Sequence, residues 1–234
     1  MNIVNLNYHI IIPARGGSKR FPKKNIHLLD GIPLISHSIK FALETFPHKN
    51  IWVNTDDHEI AKIGLSFGVN VTMRPDNLGS DTASTADVLY YQQEIFDSKQ
   101  INCEAMILLQ VTNPLRPRKL ILDAILAFEK NKRTSLATFT KLNRKFGKIK
   151  SGYYFPENYI PGQRMQDIEP EYFENGLIYI VKKQAIKEKV IITQDVYPLV
   201  INTIESLVDI DEPEDIKFAE YLIIKNNQKN ESIY

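Results

Sequence analysis

Short β-branched runs alternate with amphipathic stretches along this chain, and that alternation admits few folds. "YHIIIPA" (8–14) predicts a strand covered on both faces. "IPLISHSIKFALETF" (32–46) sets Ile32, Ile35, Ile39, Ala42, Leu43 and Phe46 at helical spacing, with Pro33 in the first turn. "NIWVNT" (50–55) predicts a strand, 57–67 a helix, "VNVTMR" (69–74) a strand and "STADVLYYQQEIF" (84–96) a helix. "AMILLQV" (105–111), "KLILDAILAFEKN" (119–131) and "SLATFT" (135–140) continue as strand, helix and strand. Such a series builds right-handed βαβ units, hence an α/β, Rossmann-like fold with a mostly parallel sheet flanked by helices.

After Thr140 the pattern changes. "KFGKIKSGYYF" (145–155) reads as a hairpin and 159–174 as a long excursion. "NGLIYIVKK" (175–183) resumes a strand, "SLVDID" (206–211) predicts a last one, and a helix follows from about Pro213 to Lys225. The expected organisation is one domain over 1–234 with a small lobe inserted at about 140–175.

The first loop concentrates charge. Arg15, Lys19, Arg20, Lys23 and Lys24 lie within ten residues around Gly16 and Gly17, with no acid among them. In an open α/β sheet the ligand sits beyond the carboxyl ends of the strands, where this loop begins. The glycine pair is expected to bend through positive φ and turn N–H groups onto an anion, while arginine and lysine neutralise phosphate oxygens. A solvated basic turn is the plain alternative, and it leaves five like charges without a counter-anion. Neither the P-loop pattern G-x-x-x-x-G-K-[ST] nor the dinucleotide fingerprint G-x-G-x-x-G is present.

The net charge of the chain is only +1, so the positive charge is local and suits a small anion rather than nucleic acid. One cysteine, Cys103, excludes an intramolecular disulfide and suits a reducing cytoplasm. No apolar run reaches membrane-spanning length, and "MNIVNLNYHIII" lacks the pattern of a secretion signal. The histidines have no metal-ligand spacing, and Ser18 has no nucleophile motif around it.

Asp209 and Asp211 stand two residues apart in "SLVDIDEPED". On a strand they project to one face while Val208 and Ile210 pack behind, a spacing suited to Mg²⁺ shared with substrate phosphates. Helix capping before Pro213 would account for Asp211 and leave Asp209 unexplained.

"IIPARGGSKRFPKKNI" resembles the opening motif of the acylneuraminate cytidylyltransferases, the CMP-sialic acid synthetases. "TDDHEIA", "RPDNLGSDTAST", "LLQVTNPLRP", "NGLIYI" and "DIDEPEDIKFAE" follow in that family's order. The resemblance implies a nucleotidyltransferase that joins a nine-carbon 2-keto sugar acid, N-acetylneuraminate or a close relative, to CMP, using CTP and Mg²⁺, releasing pyrophosphate and working as a homodimer. It implies nucleotide contacts from Pro13, Ala14, Arg15, Gly16, Gly17, Lys24, Asn25, Arg74, Thr85 and Gln110. For Thr85 the competing reading is a helix N-terminus capped by Asp81, Thr82 or Ser84. The sugar contacts implied are Gln110, Arg164, Gln166, Asn175 and Tyr179, with Lys145 or Lys148 nearby. Asn175 and Tyr179, four apart on a strand, would share a face, and Tyr179 also reads as a core aromatic. Asp209 and Asp211 would hold the metal, and Arg15, Lys24 and Asp211 would act in catalysis. "TNPLR" departs from the more usual T-S-P-L-R at Asn113, and Pro114 and Arg116 read as structural. Sugar acids of the KDN, legionaminic, pseudaminic or eight-carbon KDO type, or a non-catalytic nucleotide-binding protein on the same fold, remain the alternatives.

Overall fold

The computed structural model describes residues 7–80 and 82–231, with side chains to 228. Residues 1–6, which carry half of the N-terminal segment read for a secretion signal, and Asp81 lie outside the described residues. The elements run β1 (Tyr8–Pro13), β2 (Leu28–Leu29), β3 (Ile32–Pro33), α1 (Leu34–Leu43), β4 (Ile51–Thr55), α2 (His58–Ser66) and β5 (Asn70–Met73). Then come α3 (Thr85–Ser98), β6 (Ala105–Leu108), α4 (Leu120–Asn131), β7 (Ser135–Leu142), β8 (Gly147–Lys150) and β9 (Tyr153–Pro156). β10 (Glu171–Lys182), α5 (Lys183–Lys187), β11 (Tyr197–Val200) and α6 (Pro213–Glu231) complete the chain.

Seven strands form the central sheet in the order β11-β7-β10-β6-β1-β4-β5. All neighbours pair in parallel except β10, which is antiparallel to both β6 and β7. The connection explains the exception: parallel strands need a crossover, and β10 instead returns from the β8–β9 hairpin and the excursion without an α-helix between. Alternation along the strands feeds two cores. Ile10, Ile12, Val53 and Ile107 pack with Ile35, Ile39, Ile125, Phe128 and Ile216 from α1, α4 and α6. Ile11, Trp52, Met106 and Leu108 pack with Leu89 and Phe96 of α3 and with Ala185 and Ile186 of α5. Helices therefore cover both faces of the sheet.

Three differences from the sequence expectations concern whole elements. Ile32 and Pro33 form a hairpin with Leu28 and Leu29, so α1 begins only at Leu34. "SLVDID" is no strand: residues 204–207 form a 3-10 turn and 208–211 run extended, bonded to the sheet region through Ile210 N–H to Thr112 C=O. The strand on that side is Tyr197–Val200 beside β7. Its Pro198 cannot donate to a ladder, and it sits on the edge strand, where that loss is tolerated.

Candidate active site

β4 and β5 lie to one side of β1 and β6 to the other, so the strand order switches direction between β1 and β6. A crevice opens outside the carboxyl ends of strands at such a point. A cleft of about 340 Å³ lies there, lined by Pro13, Arg15, Lys24, Asn25, Arg74, Thr85, Gln110, Asp209 and Asp211, with Leu78, Ser80, Ala83, Val88, Val111 and Thr112 completing its walls.

The first loop is anchored rather than loose. Phe21 is buried, Asn25 is buried and donates to the Arg15 carbonyl at 2.8 Å, and Ala14 N–H extends the sheet to Asn54 C=O. Ala14, expected at the nucleotide, is a core side chain. Gly16 and Gly17 do not have positive φ; the left-handed residue of the loop is Lys23. A Cβ on Gly16 would come 2.6 Å from Asp57 Oδ2, so close approach is what position 16 requires. The loop's charges also meet carboxylates of the protein itself. Lys24 and Arg20 reach the two oxygens of Asp211 at 2.9 and 2.6 Å, and Lys23 reaches Glu59 at 2.9 Å. Charge crowding in the loop therefore does not by itself call for a bound anion. The position of Arg15 and Lys24 in the cleft carries that argument.

Asp209 and Asp211 share a cleft wall without a strand ladder. Buried Val208 and Ile210 hold the extended segment from behind, and Asn113 fixes its backbone by donating to Val208 C=O at 3.0 Å. The same amide donates to Asn175 C=O at 3.0 Å, so a single buried side chain ties β10 to this segment. Burial of the Asp209 carboxyl outweighs a hydrogen bond from Thr112 and, with the charge of Asp211, holds its pKa above the ordinary carboxylate value. Partial burial also raises Asp211, but the bonds and charges of Lys24 and Arg20 prevail and its pKa is lowered. No group of three or more His, Cys, Asp or Glu side chains able to hold a metal occurs among the described residues. Two carboxylates on one wall nonetheless suit Mg²⁺, which takes most of its shell from water and substrate phosphates.

On the opposite wall, Arg74 is buried and pairs with Asp56 at 3.2 Å. Burial lowers its pKa, and the charge of Asp56 offsets part of that shift. Ser84 caps α3 in a capping box with Asp87, so Thr85, at the first helical position, keeps its hydroxyl free of that cap. Gln110 closes the floor. Its carbonyl accepts from Arg116 at 2.5 Å, and the enclosed Arg116 guanidinium also bonds Leu177 C=O and Ser38 Oγ. Burial without an acidic partner lowers Arg116 to about 9.

The expected sugar contacts other than Gln110 do not line this cleft, although the Tyr179 hydroxyl lies near enough to Asp209 to feel its charge. Arg164 is exposed and holds Asp167 at 2.8 and 3.2 Å, and Gln166 is exposed beside it. Lys145 bonds Gln163 C=O and stacks on Tyr159, while Lys148 pairs with Glu157. Asn175 and Tyr179 do not share a face. Asn175 is buried and donates to Thr140 Oγ1, whereas Tyr179 lies in the second core with its hydroxyl on Glu174. The cause is a register shift between Glu174 and Tyr179, with Gly176 at φ +72° inside it, which breaks the period of two. A Cβ on Gly176 would lie 2.6 Å from Gln110 Oε1, so β10 needs glycine to pass beneath the floor. Asp56 and Asn113 act here through contacts that no local sequence pattern specifies. The block "TDD" and the departure at Asn113 were their visible signals.

Sheet order, flanking helices and cleft position together define a nucleotidyltransferase fold. The chain aligns with a CMP:2-keto-3-deoxy-manno-octonic acid synthetase solved in complex with CTP, at TM-score 0.68 and 16% identity, covering 94% of this chain and 99% of that one. The family model described as cytidylyltransferase matches residues 9–234, and the chain belongs to that family. It is 32% identical over 226 residues to the CMP-N,N'-diacetyllegionaminic acid synthase of Legionella pneumophila, covering 93% of this chain and 97% of the relative. It is 34% identical over 195 residues to the N-acylneuraminate cytidylyltransferase of Streptococcus agalactiae, covering 80% of this chain but 46% of that longer protein.

Proposed function

We propose that the protein transfers CMP from CTP to the anomeric hydroxyl of a nine-carbon 2-keto sugar acid and releases pyrophosphate. The observation that carries this reading is the cleft itself, where Arg15 and Lys24 face Asp209 and Asp211 at the switch point of a cytidylyltransferase chain. The hydroxyl oxygen attacks the α-phosphorus, the bond from that phosphorus to the bridging oxygen breaks, and the hydroxyl proton passes to solvent. Such a step is governed by positioning and charge neutralisation. Arg15 and Lys24 neutralise phosphate oxygens; Arg74 and Thr85 hold the nucleoside; Gln110, on the floor, lies between nucleotide and sugar. Asp209 and Asp211 would hold Mg²⁺, which when bound supplies charge neutralisation and a lowered hydroxyl pKa.

The same reading makes the chain one nucleotidyltransferase domain whose 140–175 lobe serves a homodimer. Exposed Ile149, Tyr153, Tyr154, Phe155 and Ile160 support it, because apolar groups gathered on one small lobe favour a partner. Arg164 and Gln166 remain assigned to the sugar in an assembly that brings a lobe to a cleft. No described helix is long and apolar enough to cross a membrane, and a reaction that draws on CTP suits the cytoplasm. Within that class of acids, near-complete coverage of the Legionella relative makes a legionaminic-type acid one candidate beside N-acetylneuraminate. Mass spectrometry of a reaction with CTP, Mg²⁺ and each sugar acid should show the CMP-linked product. Consumption of CTP to CMP without a linked sugar would contradict the transfer.

A further inference from the structure

Asp56, the first residue beyond β4, touches three segments that border the cleft. Its Oδ1 accepts from Gly16 N–H in the first loop at 3.2 Å and from Arg74 Nη2 at 3.2 Å. Its Oδ2 lies against Gly79, where an added Cβ would come within 2.5 Å of that oxygen, 2.6 Å of Cγ and 3.1 Å of Cβ of Asp56. Gly79 has φ −88° and ψ −8°, a conformation open to any residue. Glycine there is thus explained by the space that Asp56 occupies. Residues 78 and 80 on either side line the cleft, as does Arg74. The guanidinium of Arg74 also keeps a buried Nε–H that no protein acceptor takes among the described residues, so its pairing with Asp56 leaves a donor to spare. A carboxylate beside a polyanion site repels the ligand unless its charge is committed elsewhere. Here it is committed to a cation and an amide that shape the site.

We propose that Asp56 is a positioning residue for nucleotide binding: it fixes the Arg74 guanidinium and the Gly16 backbone in one frame, and Gly79 leaves room for it to do so. The proposal deepens the reading of this cleft as the CTP site and rests on it. The merely structural alternative makes Asp56 a counter-ion for a buried arginine, with consequences for stability alone.

The test is isothermal titration of CTP into the intact protein, its Asp56→Ala, Gly79→Ala and Arg74→Gln variants, and the two doubles on Arg74→Gln. A hydrogen bond to a charged group is strong enough that Asp56→Ala and Gly79→Ala should each weaken CTP binding about tenfold or more. Gly79→Ala is the sharper variant, since it leaves both charges in place and displaces only the carboxylate. Its effect should largely vanish on Arg74→Gln, because residues acting through one contact are not additive. Additive losses in the doubles, or unchanged CTP affinity with a lowered Tm in Gly79→Ala and Asp56→Ala, would overturn the proposal. Absence of CTP binding by the wild type would remove the underlying reading as well, and it would be seen before any variant is compared.

Discussion

Lys24 Nζ lies 2.9 Å from Oδ1 of Asp211, across 187 positions of sequence. This pair joins the two ends of the chain over the cleft: the loop after the first strand and the segment before the last helix. Lys24 is nearly enclosed, its side chain 11% exposed, whereas Arg20, on the other oxygen of the same carboxylate, is 64% exposed. One acid thus holds two cations of unequal standing.

That inequality predicts a ranking. Lys24→Met and Arg15→Ala should each lower kcat/KM by about 10²–10³-fold, the usual cost of a lost transition-state charge contact. Arg20→Met should cost less than about tenfold, because exposed ion pairs contribute little. Steady-state kinetics with CTP varied decides it, and equal small effects for all three would contradict the ranking.

The aspartate pair should separate from folding. Asp209→Asn and Asp211→Asn keep the side-chain shape and remove the charge, so circular dichroism should stay native while kcat falls strongly at limiting Mg²⁺. Near-wild-type turnover in both would set the metal elsewhere.

Arg164 tests the lobe. Its fork now grips Asp167, and lysine cannot reproduce such a bidentate geometry toward a carboxylate. If the assembled enzyme brings Arg164 to the sugar, Arg164→Lys raises KM for the sugar acid and spares KM for CTP. Unchanged values for both would leave Arg164 outside the site.

His9 sets a pH dependence of stability. Its imidazole is buried between Trp52, which donates to Nδ1, and the carbonyl of Asn102, which accepts from Nε2. Burial lowers its pKa below 6.5, and the Asn102 contact only partly offsets this. The unfolded chain binds a proton near 6.5 that the native imidazole refuses, so this contribution is full above that pH and is lost as pH falls below it. Urea unfolding followed by Trp52 fluorescence should therefore show a lower midpoint at about pH 5.5 than at about pH 7.5, and His9→Gln should shrink that difference. His37, lowered by burial, acts in the same sense. A midpoint indifferent to pH in the wild type would refute the assignment.

Much of this was open to reading in the chain itself, for local reasons. Ile10 to Ile12 announce a buried strand because three adjacent β-branched residues favour extended backbone and the proline that follows ends the run. Arg15, Arg74 and Gln110 follow strand ends, Thr85 opens α3, Asp209 and Asp211 precede α6 and Lys24 closes the first loop, and the fold gathers them at one edge of the sheet. What escaped depends on partners distant in sequence. β11 hides behind Pro198, since a proline argues against a strand unless the strand is known to be an edge. The faces of Asn175 and Tyr179 follow from an irregularity at Gly176 that period-two counting passes over. Asp56 and Asn113 matter through contacts with residues 16, 74, 175 and 208, which no window of neighbouring residues contains.

The most direct measurement is the rate of pyrophosphate release with CTP, Mg²⁺ and a panel of sugar acids that includes N-acetylneuraminate, KDN, legionaminate, pseudaminate and KDO. The account predicts release that requires both CTP and a nine-carbon 2-keto acid, fails with ATP, GTP or UTP, and falls with Lys24→Met. Pyrophosphate release that is indifferent to the sugar acid, or absent with every acid while CTP still binds, would contradict it.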